Sequence, residues 1–131
     1  MKILIVDDNP EIRQLLRSLF DGMDAECIES VDGQAALTAC REQQPDWVLM
    51  DIEMPVMDGL TATRQITQAF PGARVLILTQ YEGPHLRAAA IQAGATGYLL
   101  KDDLFQARAF IEAHTQSPAA ALATTRPLSA G

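Results

Sequence analysis

The chain has 131 residues, long enough for one buried core, and its 48% hydrophobic and 21% charged residues are those of an ordinary globular domain. Its net charge is −7, and all 17 acidic residues lie at or before Glu112, with one basic residue, Arg126, beyond it. Such an acidic field repels phosphate backbones, which argues against a direct nucleic-acid surface, and it suits a cation site.

The two cysteines, Cys27 and Cys40, form no CxxC pair and have no clustered histidines beside them, so a disulfide scaffold or zinc site is not expected. Both read as small apolar fillers in a reducing compartment. The opening apolar run is short and ends in two aspartates, too little for a signal peptide or a membrane span. A cytoplasmic protein without a membrane partner is the expectation.

In chain order, Ile3-Leu4-Ile5-Val6 is apolar on both faces and reads as a central parallel strand. Asp8-Asn9-Pro10-Glu11 reads as a helix start. Ile12, Leu15, Leu16, Leu19 and Phe20 then mark one helical face, which Gly22 stops. A weaker strand is expected over 25–28. Asp32-Gly33 opens a second helix with Ala36, Leu37 and Cys40 inward, ended by Pro45. Trp47-Val48-Leu49-Met50 is the third strand and leads into Asp51. Pro55 to Gly59 precede a third helix carrying Leu60, Thr63, Ile66 and Phe70. The fourth strand spans 75–78 and ends at Thr79. A short helix over 86–93 is stopped by Gly94, a fifth strand over 98–100 ends at Lys101, and a last helix runs over 104–113. From Ser117 onward the chain lacks aromatics and periodicity and reads as a flexible linker or tail, leaving 1–116 as one domain.

Five strands alternating with five helices imply an α/β fold, a doubly wound parallel sheet with helices on both faces. Ligands bind such sheets at the carboxyl ends of the strands. Those ends hold Asp7 and Asp8, Asp51, Thr79 and Lys101. Three converging carboxylates repel one another unless something neutralises them. A hard cation such as Mg²⁺ does so, and together with an ammonium and a hydroxyl it makes a cradle for a transferring phosphoryl group. One carboxylate is then the nucleophile, and Asp51 at the end of the central strand is the candidate. Taken singly, each residue has a plainer account: a helix cap, a turn former, a solvated lysine. The joint occurrence at successive strand ends is what points to chemistry.

The stretches ILIVDDNP, VLMDIEMPVMDG, VLILT and GYLLKD resemble the receiver domains of bacterial two-component response regulators, over residues 1 to about 115. The GYLLKD ending, with Asp102 where many members have proline, resembles the NarL/LuxR-type subfamily. The resemblance implies a flavodoxin-like (βα)5 fold with strand order 2-1-3-4-5, an order that belongs to the family and is not read from periodicity. It implies that Asp51 is the phosphoacceptor, served by a sensor histidine kinase. Asp8 would ligate Mg²⁺ directly, Asp7 through water and Glu53 through its backbone carbonyl, with Mn²⁺ as a substitute ion. Thr79 and Lys101 would bind phosphoryl oxygens, Tyr98 would reorient as Thr79 shifts, and Pro55 and Gly59 would shape the loop after Asp51. It further implies a signalling domain rather than an enzyme, with self-catalysed phosphotransfer and dephosphorylation. A homodimer, and DNA binding only through a helix-turn-helix output domain absent from this chain, follow from the same likeness.

Gln80 departs from the family, where the residue after the threonine is usually small. Its bulk is expected to slow entry of phosphodonors and attacking water. With Glu53 and Tyr81 it should tune the phosphoryl lifetime. Two other readings stand beside the switch. One is a Mg²⁺-dependent phosphohydrolase with an aspartyl nucleophile, which wants an acid/base aspartate two residues after it, a position to which Glu53 is only a weak match. The other is a receiver-like interaction module that is never phosphorylated.

Overall fold

A computed structural model describes residues 1–54 and 56–114. Pro55, expected to shape a loop, and the tail expected from residue 117 lie outside the described residues. Strands β1 (Lys2–Val6), β2 (Glu26–Ser30), β3 (Trp47–Asp51), β4 (Arg74–Thr79) and β5 (Gly97–Leu100) alternate with helices α1 (Pro10–Leu19), α2 (Gly33–Gln43), α3 (Gly59–Ala69), α4 (Pro84–Gln92) and α5 (Ala107–His114). Every strand pairing is parallel and the order is β2-β1-β3-β4-β5, as the family resemblance implies.

Local chemistry sets the helix starts. Asn9 accepts from the Glu11 N–H with Pro10 in the first turn of α1, Asp32 accepts from Ala35 N–H at α2, and Asp58 from Thr61 N–H at α3. Each cap of this kind contributes about 1 kcal/mol. The helical conformation is disfavoured before a proline, and Gln44, ahead of Pro45, ends α2 in the left-handed region at φ 51°.

Alternation along the sheet then divides the core. Leu4, Val6, Val48, Met50, Val75 and Ile77 face α2 and α3, where Ala36, Leu37, Cys40, Ala62 and Ile66 meet them. Ile3, Ile5, Trp47, Leu49, Leu76 and Leu78 face α1 and α5, where Leu16, Phe20, Ala107 and Ile111 meet them. A fully buried aliphatic side chain of this kind contributes about 1.5–3 kcal/mol, so β1, β3 and β4, apolar on both faces, hold the domain together.

Three spans differ from the sequence expectation. The edge strand β2 starts at Glu26 and runs on to Ser30, because its register with β1 continues to Val6↔Ser30. Its charged Glu29 is no stop there, being held by Arg13 and Arg17 of α1. Helix α4 opens earlier, at Pro84, which suits a first helical position but carries no hydrophobic signal. The last helical stretch begins as a 3₁₀ turn over Lys101–Gln106, broken at Asp103, before α5 starts at Ala107. That tighter winding keeps Leu104 in the core and leaves Phe105 exposed. Of the two thiols, Cys40 is the core filler, its pKa pushed up to about 11 by burial, whereas Cys27 is only half-buried on β2.

Candidate functional site

The fold brings the strand ends to one rim. Val6 pairs with Met50, so Asp7 leaves β1 beside Asp51 at the end of β3; Thr79 pairs with Leu100, so Lys101 follows directly at the end of β5. Ligand oxygens of Asp7, Asp8 and Asp51 all lie within 4.8 Å of one another. Asp7 and Asp51 are 1% and 2% exposed, while Asp8 is exposed. Lys101 reaches over both buried carboxylates, with Nζ 3.0 Å from Asp51 Oδ1 and 3.2 Å from Asp7 Oδ2.

Burial and then the Asp7 charge push the Asp51 carboxyl above its usual range, against the hydrogen bond and charge of Lys101 and the Glu53 N–H at 3.4 Å. For Lys101, burial works to lower the ammonium. The hydrogen bond it donates to Asp51 and the charges of Asp7 and Asp51 outweigh it, leaving the pKa raised. The site therefore holds an excess of buried negative charge that one ammonium does not cancel.

The donor set fits a hard divalent cation. Three carboxylates converge, and Asp7 Oδ2 is buried without a well-aligned hydrogen bond among the described residues, its charged neighbour being the lysine at 3.2 Å. Carboxylate oxygens lacking donors are what Mg²⁺ and Mn²⁺ prefer.

Gly59 is required by this geometry. Its N–H donates to Ile52 O at 2.9 Å, and a Cβ there would sit 2.0 Å from the Asp51 carbonyl oxygen. The loop between them carries Val56 at φ 71°, a strained conformation for a β-branched residue. Thr79 is buried, and its Oγ1 accepts from the Tyr81 N–H at 3.1 Å, which leaves its own proton to be donated. Tyr98 pairs with Ile77 and packs on the same face as Thr79, two residues on. Its hydroxyl is buried without a partner among the described residues, and the Arg87 guanidinium lies 5.6 Å above its ring. Gln80, Tyr81 and Glu53 have exposed side chains at the mouth of the rim. Sequence reasoning missed Arg13, whose Nη1 donates to the Asp7 carbonyl at 2.9 Å. A lone arginine on a helix carries no local signal of such a contact.

These features define a doubly wound α/β domain with an acidic, lysine-bridged site at its strand ends. The response regulator receiver domain matches residues 3–113, and the chain belongs to that family. It is similar to the transcriptional regulatory protein LnrK of Bacillus subtilis strain 168, 42% identical over 104 residues, which cover 78% of this chain and 47% of that protein. It is 37% identical over 103 residues to the response regulator GacA of Pseudomonas aeruginosa, covering 77% and 48% of the two chains. Among solved structures, a two-component response regulator of the LuxR family from Aurantimonas sp. SI85-9A1 superposes with a TM-score of 0.79 at 36% identity, covering 86% and 82% of the chains. The Vibrio cholerae chemotaxis protein CheY4 superposes at 0.77 with 26% identity, covering 85% and 96%. The chain spans about half the length of the curated relatives it matches.

Proposed function

We propose that Asp51 of this receiver domain accepts a phosphoryl group from the phosphohistidine of a sensor histidine kinase, in a Mg²⁺-dependent reaction. The observation that carries the reading is the Lys101 ammonium bridging two buried carboxylates, 3.0 Å from Asp51 and 3.2 Å from Asp7, with Asp8 alongside.

The reaction exchanges a P–N bond for a P–O bond to Asp51. Lys101 opposes the effect of burial on Asp51 and so favours its charged, nucleophilic form. Thr79 donates its free hydroxyl proton to a phosphoryl oxygen, and Lys101 neutralises another as charge redistributes. Asp8 would hold Mg²⁺ directly, Asp7 through water and Glu53 through its carbonyl, and Mn²⁺ would serve in its place. When bound, the ion cancels the excess negative charge of the trio and draws electron density from the phosphoryl oxygens. Phosphorylation then shifts Thr79, and Tyr98 on the same face follows, changing what the β4 and β5 face binds. Gln80, Tyr81 and Glu53 at the mouth tune how long the phosphoryl group persists.

Residues 1–116 form the receiver unit, with 117–131 a linker in the same reading. The domain acts as a cytoplasmic signalling switch that catalyses its own phosphotransfer and dephosphorylation. Relatives about twice as long are named transcriptional regulators, which supports placing this unit at the N-terminal side of a helix-turn-helix output domain. DNA and a second copy of the chain are then partners of the whole regulator.

Incubation with a small acyl phosphate and Mg²⁺, with Asp51→Ala alongside, tests the reading by mass. One added phosphoryl group that requires Asp51 supports it. Steady turnover without an adduct indicates a hydrolase, and no adduct even from a cognate kinase indicates an unphosphorylated interaction module.

A further inference from the structure

Asp7 is held from three directions, by the edge strand β2, by the N-cap of α1 and by a side chain of α1. Its N–H donates to Ser30 O at 3.2 Å, its Oδ1 accepts from Asn9 N–H at 2.9 Å, and its carbonyl accepts from Arg13 Nη1 at 2.9 Å. Arg13 is itself anchored. Its Nε donates to Glu29 Oε1 at 2.9 Å, and the other Glu29 oxygen is taken by Arg17 Nε at 3.1 Å. Glu29 immediately precedes Ser30 on β2. The arginine side chain is 17% exposed, while its Glu29 partner at 31% stays open to water.

The Asp7 carbonyl belongs to the rigid peptide plane that joins Asp7 to Asp8. Asp7 follows a strand, whereas Asp8 is exposed and lies in no helix or strand. Fixing that oxygen fixes the direction in which Asp8 departs, and with it the angle between two carboxylates of the acidic trio. We infer that Arg13 is a positioning residue for the cation site, clamping the Asp7–Asp8 peptide to β2 through Glu29. The inference rests on the reading of Asp7, Asp8 and Asp51 as that site.

The sign of the effect separates this role from simple charge. A guanidinium beside an acidic trio repels an incoming cation, so deleting one that had no positional role tightens Mg²⁺ binding. Deleting one that aims the ligands weakens it. Groups that orient metal ligands typically change affinity by about 10- to 100-fold, and a backbone clamp belongs at the lower end.

The test is Mg²⁺ binding by calorimetry on the full chain, with thermal unfolding recorded for each variant. Arg13→Met keeps the aliphatic stem and is expected to weaken Mg²⁺ binding by about tenfold. Arg13→Lys keeps the charge but replaces the planar fork, which reaches Glu29 and the Asp7 carbonyl from separate nitrogens, with a single ammonium, and falls between. Glu29→Gln leaves a neutral acceptor, so the clamp is looser and binding weaker by about two- to threefold. This exposed change also serves if Arg13→Met fails to fold. Unchanged or tighter Mg²⁺ binding in folded Arg13→Met, or in Glu29→Gln, overturns the inference while leaving the site reading intact. A parent chain that binds no Mg²⁺, or an Asp8→Ala chain that binds it equally well, overturns the site reading and the inference with it.

Discussion

Replacing Lys101 by Met removes the ammonium while keeping most of its stem. Each ion pair, at 3.0 Å and 3.2 Å, is worth about 5 kcal/mol gross at an effective dielectric of ~20. Against this stands the cost of burying the ammonium, several kcal/mol for a side chain only 16% exposed. Breaking such a pair while its carboxylates stay buried leaves a net loss of about 3–5 kcal/mol. That is a large fraction of the ~5–15 kcal/mol that holds a domain folded. In the absence of divalent ions near neutral pH, Lys101→Met should therefore unfold at a markedly lower urea concentration, with the melting temperature down by about 12–20 °C. Saturating Mg²⁺ should recover part of the loss, because the ion supplies the missing positive charge to the same carboxylates. An unfolding midpoint equal to the parent's in chelator refutes the reasoning, since the ion pairs would then contribute nothing net.

Asp51→Asn should act in the opposite direction. A carboxyl raised on folding contributes least above its folded pKa, and stability is lost as pH rises from the ordinary aspartate range through that raised value. Metal-free Asp51→Asn is thus expected to be more stable than the parent at neutral pH, with the gain narrowing in acid, as urea titrations at several pH values will show. Gly59→Ala places a Cβ 2.0 Å from the Asp51 carbonyl oxygen and 2.8 Å from its carbon, backbone atoms with little room to yield. A cost of about 3 kcal/mol or more is expected in denaturant unfolding, together with a reduced yield of the Asp51 adduct. Gln80→Ala opens the exposed mouth beyond the buried Thr79. The mass adduct should then decay faster as water gains access, and an unchanged decay rate removes Gln80 from the tuning role.

Much of the site was legible because each of its residues follows a strand whose signal is strong. Trp47 to Met50 and Val75 to Leu78 are apolar on both faces, so the residues just after them, Asp51 and Thr79, stood out as strand ends. Glu29 was not legible as a strand residue, since a charge in a weak edge strand breaks local alternation. Its partners Arg13 and Arg17 lie 16 and 12 residues away on α1. Arg13 itself was hidden for the same reason: its acceptor is a backbone carbonyl, which no side-chain pattern announces. The helix expected over 104–113 overlaps the end of the 3₁₀ turn, because apolar spacing does not separate the two windings over so short a stretch. The break falls at Asp103, next to the buried Leu104.

By itself the sequence determined the order and approximate extent of the strands and helices, the polar starts of α1 and α2, and which chemical groups stand at the strand ends. These are local properties, set by side-chain period and by hydrogen bonds spanning a few residues. Only the tertiary structure decided the distances. β5 is not paired with β3, so the meeting of Lys101 with Asp51 and Asp7 depends on the long lysine stem reaching past β4. The burial of those charges, the upward push on Asp51 and the clamp from Arg13 arise from the same packing of five strands into one twisted sheet. Residues far apart in the chain become neighbours there through strand order and register, which no local period encodes.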